Sequence, residues 1–194
     1  MLKRGAIICA TAGIASVPVL FYDLLPTFPR STMPETPHES RFDSRPEYQH
    51  AIGAVLASAN REICVFDPDL MGVDFNTRDR SEAIAAFLSG GRDRSLRIVL
   101  HEIDHVSREC PRVMSLLKRF SHCFSIRQTP ESLHQLTDCF ILADNAGVLI
   151  RFHADHSRGK LLLSTPEAAN GWRQRFEDLW LESIPAVSAT HIGL

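Results

Sequence analysis

"CFILADNAGVLIRFH", residues 139 to 153, decides how the rest of the chain is read. Two short apolar runs, Cys139 to Ala143 and Gly147 to Phe152, flank the turn-forming group Asn145-Ala146-Gly147, a pattern that predicts a β-hairpin. Polar side chains crowd in directly after it: His153, Asp155, His156, Arg158 and Lys160. Arg151 and His153 differ by two, so they share a face of the second strand. Together with Arg158 and Lys160 they form a candidate pocket for a phosphate, a carboxylate or a nucleic-acid backbone, with Gly159 allowing close approach of the main chain. The competing expectation is a solvated strand edge whose charges discourage edge-to-edge pairing. His153, Asp155 and His156 would be a start on a metal site, but no further ligand is implied elsewhere.

Working upstream, helical and strand periods alternate. "PEYQHAIGAVLASANR" places Tyr48, Ile52, Val55, Leu56 and Ala59 on one helical face. A short buried strand, Ile63 to Phe66, is stopped by Asp67 and Pro68. "TRDRSEAIAAFLSGG" is a second helix with Thr77 at its N-cap, and "SLRIVLHE" is a strand. "CPRVMSLLKRFS" is a third helix, with Pro111 in its first turn, and "HCFSIRQ" the next strand. After the hairpin come "KLLLS", read as one more strand, and a closing helix, "PEAANGWRQRFEDLWLES", ended by Pro185. Helices separating short apolar strands, followed by a hairpin, predict an α/β fold. Its sheet is mixed, partly parallel and flanked by helices on both faces.

In such a sheet ligand sites gather at the carboxyl ends of the parallel strands. Asp67 and Asp69 close the first strand, His101, Glu102 and His105 the second, and Arg127 the third, so parallel strands would bring them to one rim. Residues 101 to 105, "HEIDH", also match the zinc-hydrolase pattern in which His101 and His105 would hold the metal and Glu102 activate water. That chemistry needs a helix, whereas "LRIVL" runs into the motif as a strand. The expectation is a polar loop at a strand end, with a metal-dependent hydrolase as the alternative.

The totals describe an ordinary globular chain. There are 194 residues, 44% hydrophobic and 23% charged, with a net charge of -2 that gives no global attraction to nucleic acid or anionic membrane. The five cysteines form no CxxC pair, and Cys64, Cys123 and Cys139 lie in apolar runs. Buried, reduced thiols and a cytoplasmic location are expected. Residues 1 to 30 pull the other way: Lys3 and Arg4 precede an uncharged run from Gly5 to Tyr22. This segment is an anchor, a signal peptide or an untranslated stretch upstream of a start at Met33. Insertion would place the domain in the periplasm, anchored to the inner membrane, with contact to membrane only in that case. Residues 31 to 44 read as a proline-bearing linker, 45 to 186 as the domain and 187 to 194 as a tail.

"CFILADNAGVLIRF" resembles the core hairpin of the phospholipase D-like fold, and "RFEDLW" resembles the helix that closes it. From about Arg41 the chain, including "CPRVMSLLKRF" and "SATHIGL", is similar to an uncharacterised bacterial domain family of single half-size modules related to that superfamily. Active members of the superfamily carry H-x-K-x4-D, in which the histidine attacks phosphorus and the lysine holds the phosphate oxygens. With Asp144 in the aspartate's place, Thr137 stands at the histidine position and Cys139 at the lysine position. Starting instead at His134 puts Leu136 and Ile141 where lysine and aspartate belong. The resemblance therefore implies a non-catalytic module that binds an anionic small molecule, nucleic acid or protein partner through Asp144, Arg151, His153, Arg158 and Lys160, without a cofactor. It also allows a homodimer, because active single-motif relatives pair to complete one site. The alternatives are a hydrolase, metal-dependent or phosphodiesterase, that uses His101, His105, His134 or His153, and a membrane-tethered structural protein.

Overall fold

The protein is described by a computed structural model covering residues 36 to 186; the expectations for residues 1 to 35 and 187 to 194 lie outside the described residues. Eight strands and five α-helices follow one another as β1 (His38–Phe42), α1 (Arg45–Ser58), β2 (Glu62–Asp67), α2 (Arg78–Ser89), β3 (Ser95–Leu100), α3 (Asp104–Glu109) and α4 (Pro111–Arg119). They continue with β4 (Phe124–Gln128), β5 (Cys139–Ala143), β6 (Gly147–His153), β7 (His156–Leu163), α5 (Pro166–Glu182) and β8 (Ile184–Pro185). One sheet holds all the strands in the order β1-β7-β6-β5-β2-β3-β4-β8. β2, β3 and β4 are parallel, and every other pairing is antiparallel. This is the mixed α/β sheet that the alternating periods predict.

Strand alternation divides the core. On one face Ile63, Val65, Leu96, Ile98, Ile141 and Leu149 pack beneath helices α1 to α4. On the other, Cys64, Phe66, Val99, Phe140, Leu142 and Ile150 pack against Phe176 and Leu179 of α5. Because both faces are covered, β2 and β5 read as unbroken apolar runs. The parallel steps from β2 to β3 and from β3 to β4 advance in one direction. Crossovers of one hand then put α2 and α4 on the same face. That leaves α5 to cover the other face, where an ionic network holds it. Arg97 of β3 bridges Glu62 at 2.7 Å and Glu177 at 2.5 Å and lies against the rings of Phe176 and Trp180.

Several boundaries differ from the sequence reading. His38–Phe42, expected as linker, is an edge strand paired with β7. Its one buried residue, Phe42, stacks 5.3 Å from Tyr48, and a single anchor among polar residues leaves no period to detect. β7 begins four residues earlier than "KLLLS", so a second hairpin turns at Ala154-Asp155. Asp104–Glu109 is a short helix rather than loop. Thr77 stands at the N-cap of α2, but its hydroxyl donates to the Asp74 carbonyl instead of capping the helix. α5 ends at Glu182, three residues before the expected stop, Pro185, which lies in β8 and pairs with Arg127. Among the described residues, no helix is long and apolar enough to cross a membrane.

Candidate functional site

The parallel strands β2, β3 and β4 do end on one rim. The antiparallel partners complete it: in register, Phe66 lies beside Phe140 and Cys139 beside Arg151. The start of β5, the end of β6 and the start of β7 therefore meet the carboxyl end of β2. Asp67, Cys139 and Arg151 converge there from three different strands.

Arg151 is the centre of that convergence and is 7% exposed. Its Nη2 donates to Asp67 Oδ2 at 3.0 Å and lies 3.3 Å from Cys139 Sγ. The guanidinium carbon sits 5.1 Å from the centre of the Tyr48 ring, a cation–π contact. Asp67, 1% exposed, also accepts the backbone N–H of Leu70 at 2.8 Å and of Asp69 at 3.3 Å. Burial pushes the Asp67 carboxyl above its ordinary range, and Arg151 and the two N–H donors only partly offset this. Burial likewise pushes the Cys139 thiol up to about 12, so it stays protonated and uncharged.

Both hydrogen bonds of the guanidinium run through Nη2. Nε is buried without a partner, and Nη1 carries no hydrogen bond to another described residue. Nη1 lies against Gly72: a Cβ built there would stand 2.5 Å from it, so glycine makes room for the cation. Here a cavity of about 380 Å³ opens, walled by Arg45, Tyr48, Asp69, Met71 and Gly72 on one side and by Arg151, Asp155 and His156 on the other. Tyr48 is 2% exposed, and its hydroxyl has no hydrogen-bond partner among the described residues. Burial raises its pKa, so it remains a proton donor. Arg45 reaches Asp74 at 3.3 Å.

The other candidates are dispersed. Asp144 sits at the opposite end of the sheet, in the turn between β5 and β6, with φ at 51°. Its two oxygens accept the backbone N–H groups of Asn60, Arg61 and Glu62 at 2.7, 2.7 and 2.9 Å, so they hold the start of β2 rather than face the cavity. His153 is half-buried, 3.5 Å from Asp155, and its ring lies 5.6 Å from that of His156. Arg158 and Lys160 line a second hollow of about 440 Å³ with Arg41 and the exposed Phe152. The strand face separates them from Arg151, because β7 residues of even number point away from α1.

The histidines of "HEIDH" do not share a helix. His101 follows β3, and α3 starts only at Asp104. The His101 Nε2–H donates to the Leu136 carbonyl at 2.9 Å, which leaves Nδ1 to accept from the buried Thr129 hydroxyl at 2.7 Å. Both nitrogens are thus occupied. His134 stacks 4.8 Å from that ring, with its Nδ1 3.8 Å from Glu102. Among the described residues, no three His, Cys, Asp or Glu side chains are grouped to hold a metal ion. Sequence reasoning missed Tyr48, Arg45 and Gly72 as lining residues. The available signal was Asp67-Pro68-Asp69 at a strand end, which marked the rim without naming its occupants.

Residues 44–190 match a family model described as Domain of unknown function (DUF7931). The chain belongs to the DUF7931 family. No curated protein matches it by sequence. Among solved structures, this DUF7931 chain is similar to TrmBL2, an archaeal chromatin protein whose structure shows a novel mode of DNA binding. The TM-score is 0.60 at 11% identity over 82% of this chain, which spans 57% of the TrmBL2 chain. It is similar to Nuc from Salmonella typhimurium, a phospholipase D family member, with TM-score 0.57 and 17% identity over 79% of this chain and 100% of Nuc. NucT from Helicobacter pylori gives 0.53 and 11% over 78% of this chain and 100% of that one. At such identities the likeness shows the fold, and the fold of this DUF7931 chain is phospholipase D-like.

Proposed function

We propose that this DUF7931 domain is a non-catalytic, phospholipase D-like module that binds a small anionic, phosphate-bearing ligand in the cavity floored by Arg151. One observation carries the reading: a buried guanidinium with two of its three nitrogens unspent, at the floor of a 380 Å³ hollow. Nε is sealed from solvent, so Nη1, against Gly72 at the hollow, is the nitrogen that a ligand oxygen would reach. The cation belongs to β6, one strand over from Cys139, where the superfamily motif carries its lysine. Charge for holding a phosphate is therefore retained by a different residue.

The attacking group is not retained. Thr137, at the motif's histidine position, is exposed, and no side chain hydrogen-bonds its hydroxyl among the described residues. A hydroxyl without a base is a poor nucleophile. His134 does not replace it, because it packs on His101 and leans toward Glu102.

Calorimetric titration with inorganic phosphate tests the proposal. Wild type is expected to bind, and Gly72→Ala to bind at least tenfold more weakly, because the added methyl group displaces Nη1. Equal binding by Gly72→Ala, with its fold intact by circular dichroism, would refute the site. Hydrolysis of bis(4-nitrophenyl) phosphate that disappears in His134→Ala would refute the non-catalytic reading.

A second reading concerns the outer hollow. Arg41, Arg158 and Lys160 line it with Phe152, which is 51% exposed, and outnumber its two carboxylates, Asp43 and Glu47; cations beside an aromatic face suit single-stranded nucleic acid. The likeness to TrmBL2 supports it. Binding that survives Arg158→Ala with Lys160→Ala would remove it.

A further inference from the structure

The charges around the Arg151 cavity narrow the class of ligand, and this step rests on the anion-binding reading above. Two guanidiniums line the hollow, Arg45 and Arg151. Each already faces a carboxylate behind the wall, Asp74 and Asp67 respectively. Two further carboxylates, Asp69 and Asp155, line the hollow itself. Asp69 spends one oxygen on the Met71 N–H at 2.9 Å, and among the described residues it forms no ion pair. Asp155 is 79% exposed, with His153 as its nearest basic group. The surroundings are therefore net negative, although the floor is a cation.

A polyanion or a doubly charged phosphate with no positive group would meet Asp69 and Asp155 across the same space. Like-charge juxtaposition of that kind disfavours such a ligand. A ligand carrying its own ammonium group turns the repulsion into attraction at both ends.

We infer that the cavity takes a small zwitterion, a phosphomonoester bearing a primary ammonium group, with its phosphate on Arg151 and Tyr48 and its ammonium toward Asp69 and Asp155. The donors arrive from different walls, Tyr48 and Arg45 from α1 and Nη1 from β6. That arrangement suits a tetrahedral anion better than the planar fork that a carboxylate prefers. The volume lies at the small end of the ligand-site range of about 300–1,000 Å³.

The test is calorimetric titration of the full chain with O-phosphoethanolamine, ethyl phosphate and ethanolamine, repeated on Asp155→Asn. O-Phosphoethanolamine is expected to bind at least tenfold more tightly than ethyl phosphate, and ethanolamine not at all. Asp155→Asn should weaken O-phosphoethanolamine by about fivefold and tighten ethyl phosphate. Equal affinity for the two phosphates in wild type, with no loss for O-phosphoethanolamine in Asp155→Asn, would overturn the zwitterion and leave the anion site standing. Failure of both phosphates to bind would overturn the anion site itself, and this inference with it.

Discussion

Replacing Asp67 by asparagine isolates the charge at the floor of the cavity. The pair it breaks spans 3.0 Å, and at an effective dielectric constant of about 20 that distance corresponds to an attraction of about 5–6 kcal/mol before desolvation is counted. Desolvation cancels much of the attraction, so the intact pair stabilises the fold little. Removing one partner is different, because the survivor remains buried. Arg151 cannot shed its proton, and Asp67→Asn should therefore cost about 3–5 kcal/mol. Arg151→Met leaves Asp67, which has an escape: burial already raises its pKa, and it can take up a proton. The loss in Arg151→Met should thus be smaller at pH 5 than at pH 8. The sign follows from linkage. With its folded pKa above the unfolded value of about 3.9, Asp67 makes the folded state bind the extra proton. That contribution is fully present below the unfolded value and is lost as pH rises through the folded value. The double variant should lose less than the sum of the singles by about 2–3 kcal/mol. Urea denaturation of the four proteins at pH 5, 6.5 and 8 reads all of this. Additivity within about 0.5 kcal/mol, together with a pH-independent loss in Arg151→Met, would refute the description of a coupled buried pair.

Asp144→Ala removes the acceptor of three backbone N–H groups and puts alanine at a positive φ. It should destabilise the fold by about 2–4 kcal/mol in urea titration while leaving phosphate affinity in the remaining folded protein unchanged. A change in affinity without a change in stability would place Asp144 in the ligand site. Cys64 and Cys139, both buried and pushed up to about 12, should resist iodoacetamide at pH 8 until urea unfolds the chain, as mass mapping of the alkylated peptides would show. Gly159→Ala should cost about 2–3 kcal/mol, because the new methyl group would overlap the Ile150 carbonyl and the Phe42 ring, and a thermal melt would register it.

The hairpin and the parallel strands were legible because burial on both faces writes itself as apolar runs, as in Ile63–Phe66 and Cys139–Ala143. The edge strand at His38–Phe42 was not, because only Phe42 is buried and the rest of the strand meets solvent. The rim could be placed from Asp67 and His101 at strand ends. Its chemistry could not, since the partner of Arg151 lies 84 residues away and no local pattern links them. The reading of one anion pocket from Arg151, His153, Arg158 and Lys160 followed nearness in sequence. The pleat sends Arg151 to one face of the sheet and Arg158 and Lys160 to the other, dividing the cluster between two hollows. "HEIDH" looked like a metal motif only while its helix was assumed. The strand that ends at Leu100 leaves His101 free to tie β3 to the loops before β5.

The central claim is that the guanidinium of Arg151 is the ligand's anchor. Side-chain nitrogen-15 NMR of arginine, with the Arg151 signals assigned by their absence in Arg151→Met, follows that group during titration with O-phosphoethanolamine. Saturable shifts at Arg151 Nε and Nη1, with the signals of Arg97 and Arg173 unmoved, are the predicted result. A ligand that binds by calorimetry while the Arg151 signals stay in place would contradict the account.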